Sequence, residues 1–175
     1  MKALLLIDHG SRRAEANEML GCMARLVQHM AGDEAIVRFA HMELAEPSIE
    51  AGVAACVDAG ATEIIAFPYM LSPGRHATSD IPHMVAGAAA RYPAVTVRVT
   101  PAFGVHEKLG ELILARAGLA SARVPAGADA ACCWNPAGTR QACGDACRAL
   151  DSARPGNAGP ASPGAHGSVP VPASR

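Results

Sequence analysis

Two kinds of apolar spacing alternate along the first two thirds of the chain. Residues 3–7 form an unbroken apolar run bounded by Asp8 and Gly10, the pattern of a strand buried on both faces. From Ala14 the period changes: Ala16, Met19, Leu20, Met23, Val27 and Met30 recur at helical spacing, and Gly32 closes the segment. A second strand is expected over residues 35–40. Pro47 then suits the first turn of a helix, where its missing N–H has no bond to lose, and Ile49, Val53, Ala54 and Val57 mark a buried stripe ending at Gly60. Residues 63–67 read as a third strand. Thr78, Ser79 and Asp80 offer cap oxygens to a small Ala-rich helix over residues 81–90, which stops before Tyr92 and Pro93. Residues 95–99 alternate valine with Thr96 and Arg98, as an edge strand with one wet face does. A turn at 101–104 leads to a last helix over 105–117, with Leu109, Leu112 and Ile113 on its apolar face. The order β-α-β-α-β-α-β-α predicts an α/β domain with an open parallel sheet of about four strands and helices on both faces.

The texture changes after residue 118. Residues 119–175 are rich in Ala, Gly, Pro and Ser, with Trp134 almost alone among bulky side chains, so this tail is expected to be low in complexity and disordered. Residues 1–118 are the expected domain. A formal net charge of -1 gives no electrostatic footprint for nucleic acid, and no run is long enough to span a bilayer. The first residues carry one Lys and an apolar run too short for a signal sequence, so the expected location is the cytoplasm. There, six cysteines stay reduced. Cys22 and Cys56 sit in apolar helical patterns and are expected in the core. Cys132, Cys133, Cys143 and Cys147 give CC followed by CxxxC, which is neither a zinc nor a ferredoxin spacing, and they read as incidental thiols of a biased extension.

Candidate chemistry lies just past two of the strands. His9 follows the first and His76 ends the loop after the third; in an open parallel sheet, the carboxyl ends of the strands form the ligand crevice, so the two imidazoles belong to one site. A neutral imidazole ligates borderline metals such as Co²⁺ or Fe²⁺ and accepts a proton near neutral pH. Arg12, Arg13 and Arg75 flank the pair, and guanidinium forks suit carboxylates or can simply pair with surface acids. Glu43 is a third metal contact or proton relay, or else a solvated loop carboxylate. Glu46 is equally explained as an acid at a helix start. His41 is expected to face away from Glu43. His83, His29 and His106 read as surface residues.

Three stretches in order, His9 to Arg12 (HGSR), Glu43 to Ser48 (ELAEPS) and Pro68 to His76 (PYMLSPGRH), resemble the small sirohydrochlorin cobaltochelatases and ferrochelatases that work without ATP. The resemblance covers roughly residues 1–118. It implies a chelatase-like (flavodoxin-like) fold, a homodimer of short chains, and insertion of Co²⁺ or Fe²⁺ into sirohydrochlorin as a step toward cobalamin or sirohaem. By position it makes His9 the metal-binding general base and His76 the second metal-binding histidine. It assigns Leu71, Ser72, Pro73, Gly74, Arg75 and His76 to the loop that contacts the tetrapyrrole, and places Glu46 near a further substrate contact. Metal and tetrapyrrole are substrates, with no nucleotide. Some members carry iron–sulfur clusters near the C-terminus, but the four tail cysteines do not match such a pattern. The alternatives are a Ni²⁺ chelatase with the same site, a non-enzymatic metal or tetrapyrrole carrier, and, last, a phosphate-binding domain, for which no GxGxxG or Walker-type loop follows the first strand.

Overall fold

The computed structural model describes residues 1–120. Expectations for residues 121–175, including the four tail cysteines, lie outside the described residues. The elements run β1 (Lys2–Asp8), α1 (Ala14–Ala31), β2 (Ile36–His41), α2 (Ile49–Asp58), β3 (Glu63–Pro68), a π-helical turn (His76–Asp80), α3 (Ile81–Ala89), β4 (Thr96–Val99) and α4 (Glu107–Arg116). The strands are all parallel, in the order β2-β1-β3-β4, so β1 is central and the order reverses between β1 and β3.

Alternation along β1 builds both layers. Ala3, Leu5 and Ile7 point to the face covered by α2 and α3, where they meet Ile49, Val53, Cys56, Ile81 and Val85. Leu6 points to the other face and packs with Leu20 and Ala24 of α1. Full burial of a side chain such as Ile49 or Val53 contributes roughly 1.5–3 kcal/mol, so a few such residues hold α2 down. Gly52 lets that helix approach closely: a Cβ there would stand 2.8 Å from the Ala40 Cβ and 2.9 Å from a Leu5 methyl. Gly60 ends α2 in a left-handed conformation, with its N–H donating to Val57 O and the Ala61 N–H to Cys56 O.

Several expectations need correction. Only Leu20, Gly21 and Ala24 of α1 are buried; Ala16, Met19 and Met30 are exposed, because the helix rests on the sheet along a narrow stripe. Cys22 is exposed for the same reason, lying two residues, or about 200° around the helix, from both Leu20 and Ala24. Cys56 is in the core as expected. Pro47 lies before its helix rather than in the first turn: Ser48 is the N-cap, its hydroxyl accepting the Ala51 N–H at 3.3 Å. The buried stripe of α2 is Ile49, Gly52, Val53 and Cys56, with Ala54 and Val57 only half-buried. Thr78, Ser79 and Asp80 do not cap α3, since the π-helical turn runs straight into it. The apolar face of α4 is thinly covered among the described residues: none of its side chains is buried, Leu109 is half-buried, and Leu112 and Ile113 are exposed. As expected, β4 is an edge strand with Thr96 and Arg98 outward.

Candidate metal centre

The reversal between β1 and β3 opens a crevice at their carboxyl ends, and the loops there carry the candidate residues. Pairing of β1 with β2 continues past the strands: the Met42 N–H donates to Asp8 O at 2.8 Å and the Glu43 N–H to His9 O at 3.1 Å. The loop bearing Glu43 is thus laid along the loop bearing His9. Gly10, at φ +82°, makes the close approach possible, since a Cβ there would overlap the carbonyl oxygen of Glu43. Asp8 finishes the turn by accepting the Gly10 N–H at 2.9 Å.

His9 and His76 meet edge to face, with ring centroids 5.1 Å apart and planes at 83°. Both side chains are about half exposed, at 44% and 50%. Around His9, Glu43 Oε1 lies 3.1 Å from Nε2 and the Gly10 carbonyl oxygen 3.4 Å from Nδ1. His76 is the first residue of the π-helical turn, and Asp80 Oδ2 lies 2.9 Å from its Nδ1. Arg75 Nε is 3.6 Å from the other oxygen of that carboxylate, its side chain otherwise in water. Turns of this wide type concentrate at functional sites. Among the described residues, no three His, Cys, Asp or Glu side chains already converge on one point as a metal cage. Glu43 is directed at His9 itself. The arrangement is an open pair of imidazoles with a carboxylate behind each.

The remaining predicted residues surround this pair at greater remove. Arg12, Ser11, Asn17, Leu44 and Glu46 line a cleft of about 440 Å³ beside the N-terminus of α1. Glu46 also acts locally as a helix-start acid, its Oε2 accepting the Ser48 N–H at 2.7 Å. Leu71, Ser72 and Pro73 line a second, more apolar cleft of about 550 Å³ with Val105, Leu109 and Ile113, and Gly74 leads from it into the π-helical turn. Two expected surface histidines are plain: His29 and His83 are exposed, whereas His106 caps α4 by accepting the Lys108 N–H.

Sequence reasoning missed three supports. Asp80 was legible only as a cap; the i, i+4 spacing from His76 would have exposed it had the helix been started five residues earlier. Asp8 looked like a strand boundary. His41, expected only to face away from Glu43, is buried at 1% exposure, its Nδ1 2.6 Å from Asp8 Oδ1 and its Nε2 without a hydrogen-bond partner. One carboxylate, Asp8, therefore ties the His9 loop to the end of β2.

The chain resembles known proteins over this same region. The family model described as CbiX matches residues 3–120. The chloroplastic sirohydrochlorin ferrochelatase of Arabidopsis thaliana is 39% identical over 110 residues, 63% of this chain and 48% of that protein. The sirohydrochlorin ferrochelatase of Priestia megaterium is 36% identical over 117 residues, 66% of this chain and 43% of the other. Among solved structures, the sirohydrochlorin chelatase SirB from Bacillus subtilis subspecies spizizenii, in complex with cobalt, matches with a TM-score of 0.62 at 32% identity, covering 67% of this chain and 50% of that one. A CbiX protein of cobalamin (vitamin B12) biosynthesis from Marinobacter aquaeolei matches with a TM-score of 0.58 at 28% identity, covering 67% of this chain and 95% of that one. The chain spans about half the length of the curated relatives it matches. With the family model covering well over half of its residues, this chain belongs to the CbiX family.

Proposed function

We propose that the chain inserts a divalent metal, Co²⁺ or Fe²⁺, into sirohydrochlorin. The observation that carries this reading is the His9–His76 pair, 5.1 Å apart at the mouth of the crevice, in a chain whose relatives are named sirohydrochlorin ferrochelatases and cobaltochelatases. Two nitrogens with open positions hold an ion that must be given up; a closed four-ligand cage would retain it. Imidazole suits both ions, and cobalt and Fe³⁺ appear in the solved SirB complexes.

Metallation exchanges two pyrrole N–H protons for one M²⁺. His9 starts with Glu43 against its Nε2; with a proton on Nδ1 toward Gly10 O, passing the Nε2 proton to that carboxylate leaves a neutral imidazole whose Nε2 is free for the ion beside His76. As the ion moves into the macrocycle, His9 takes up the two pyrrole protons one after the other and Glu43 relays each to water, to which both are open. Arg12 and Arg75 meet rim carboxylates of the substrate, with Leu71, Ser72, Pro73 and Gly74 along one edge and Glu46 near another. The test is anaerobic absorbance on mixing the chain with sirohydrochlorin and Co²⁺, Fe²⁺ or Ni²⁺ in separate cuvettes. Acceleration over protein-free controls with one preferred ion supports the reading and names the metal. Tight binding at the spontaneous rate makes the chain a carrier instead.

The working unit in this reading is a homodimer. Its support is the half-length match to relatives and the exposed apolar face of α4, where Leu112 and Ile113 lie in water. Light scattering should give twice the chain mass, and Leu112→Glu with Ile113→Glu should halve it; a monomeric wild type removes the dimer. No helix among the described residues is long and apolar enough to cross a membrane. The proposed setting is the cytoplasm, where Cys22 and Cys56 remain thiols.

A further inference from the structure

We infer that Asp80 is a positioning residue that makes His76 a one-sided ligand, holding the ring proton on Nδ1 so that the Nε2 lone pair faces the incoming ion. The inference rests on the metal-binding reading above and deepens it. At 2.9 Å, a carboxylate oxygen and a bare ring nitrogen would set two lone pairs against each other, so the proton sits between them, on Nδ1. Carboxylates behind metal-bound histidines set tautomer and ring orientation in this way.

The local fold keeps Asp80 in place. Residues 76–80 form a π-helical turn closed by the Ile81 N–H donating to His76 O, and Ala77 and Ile81 anchor it by their burial. Behind it, the Thr78 hydroxyl and N–H both donate to Gly74 O, at 3.1 and 3.0 Å. Arg75 approaches the second Asp80 oxygen at 3.6 Å, which leaves Oδ2 for the imidazole. His9 is built differently: it has an oxygen beside each nitrogen, Gly10 O and Glu43 Oε1, so a proton on either side is met by an acceptor. The two rings thereby differ: His76 is fixed as a ligand alone, whereas His9 can both ligate the ion and exchange a proton.

The test uses the full chain as wild type, Asp80→Ala and Asp80→Asn, with two readouts. Long-range ¹H–¹⁵N NMR of the metal-free protein, at a pH where imidazole is neutral, reports which His76 nitrogen carries the proton. Titration with Co²⁺ alone reports affinity. The expected result is Nδ1–H in the wild type and a shift toward Nε2–H in Asp80→Ala, with Co²⁺ binding weakened about 10–100-fold. Asp80→Asn, whose carbonyl still accepts, should restore the tautomer and most of the affinity, which a merely structural role would not require. A wild-type His76 protonated on Nε2 overturns the inference without any variant. So does an Asp80→Ala protein that keeps the Nδ1–H tautomer and binds Co²⁺ within twofold of wild type. The failure of the parent reading looks different: a wild type with the Nδ1–H tautomer that neither binds Co²⁺ nor metallates sirohydrochlorin overturns the metal role and leaves the Asp80 effect on the ring standing.

Discussion

Gly10→Ala should disable the site through the backbone, without touching a functional side chain. Gly10 has φ +82°, which strains an L side chain by about 1–2 kcal/mol. Gly60, at φ +88°, carries the same strain, but a Cβ there meets nothing within 4 Å, so Gly60→Ala measures the conformational part alone. At Gly10 the new Cβ overlaps the Glu43 carbonyl oxygen and stands 3.2 Å from the His41 Cβ. The two loops must part by about 1 Å, a displacement that can reduce turnover roughly 100-fold at a catalytic pair. The Glu43 N–H to His9 O and Gly10 N–H to Asp8 bonds weaken as they do so, at roughly 0.5–1.5 kcal/mol each. The sum for Gly10→Ala is about 2–5 kcal/mol, against about 1–2 for Gly60→Ala. Urea unfolding of both variants gives the difference, and Co²⁺ titration shows whether the site went with it. Equal urea midpoints, with Co²⁺ affinity unchanged in Gly10→Ala, would refute the reasoning that this contact holds the loops in register.

His9→Ala should abolish metal insertion while leaving the urea midpoint nearly unchanged, because the side chain is half in water; near-normal turnover removes it as the base. His41→Leu strips Asp8 of its buried partner and should destabilise by about 1–3 kcal/mol, read from denaturant unfolding; no loss would mean the pair is not a clasp. Burial pushes the Cys56 thiol up to about 11 from 9.0, partly opposed by Arg38. The folded chain then keeps a proton the unfolded chain releases, so the stabilisation is whole below pH 9 and lost as pH rises through 11; the urea midpoint should fall over that window more steeply than in Cys56→Ala. Brief alkylation of the native chain followed by peptide mapping should label Cys22 and spare Cys56, the reverse of which would contradict their exposures. Gly52→Val should cost about 1–3 kcal/mol by forcing α2 off Ala40 and Leu5, and a stable variant would show that the helix can lift freely.

The strand and helix order could be read because buried parallel strands leave unbroken apolar runs and helices change the period, as residues 3–7 and the segment from Ala14 do. The positions of His9 and His76 followed from that order. What spacing could not report is how much of each helix the sheet covers: Met19, Cys22 and Met30 fit an apolar stripe and face water, since four strands offer α1 only a narrow bed. Nor does a period of 3.6 announce a π-helical turn, so Asp80 looked like a cap while it stood behind His76. His41 was the hardest case. Alternation along the strand turned it away from Glu43, but nothing local announced the meeting with Asp8, 33 residues earlier, that accompanies its burial.

The central place of β1 bears on how the chain is made. Of the four described strands the one earliest in the sequence lies in the middle of the sheet, with one edge bare until Glu63–Pro68 has emerged and paired. His9 exists early, but its fellow imidazole arrives only after that strand. In the proposed reading a nascent chain accordingly offers passing ions isolated histidines, and the grip of both rings is withheld until synthesis has passed the third strand. On that same reading, metal capture is in this sense a mark of completed folding, and half-finished chains compete poorly for cobalt or iron.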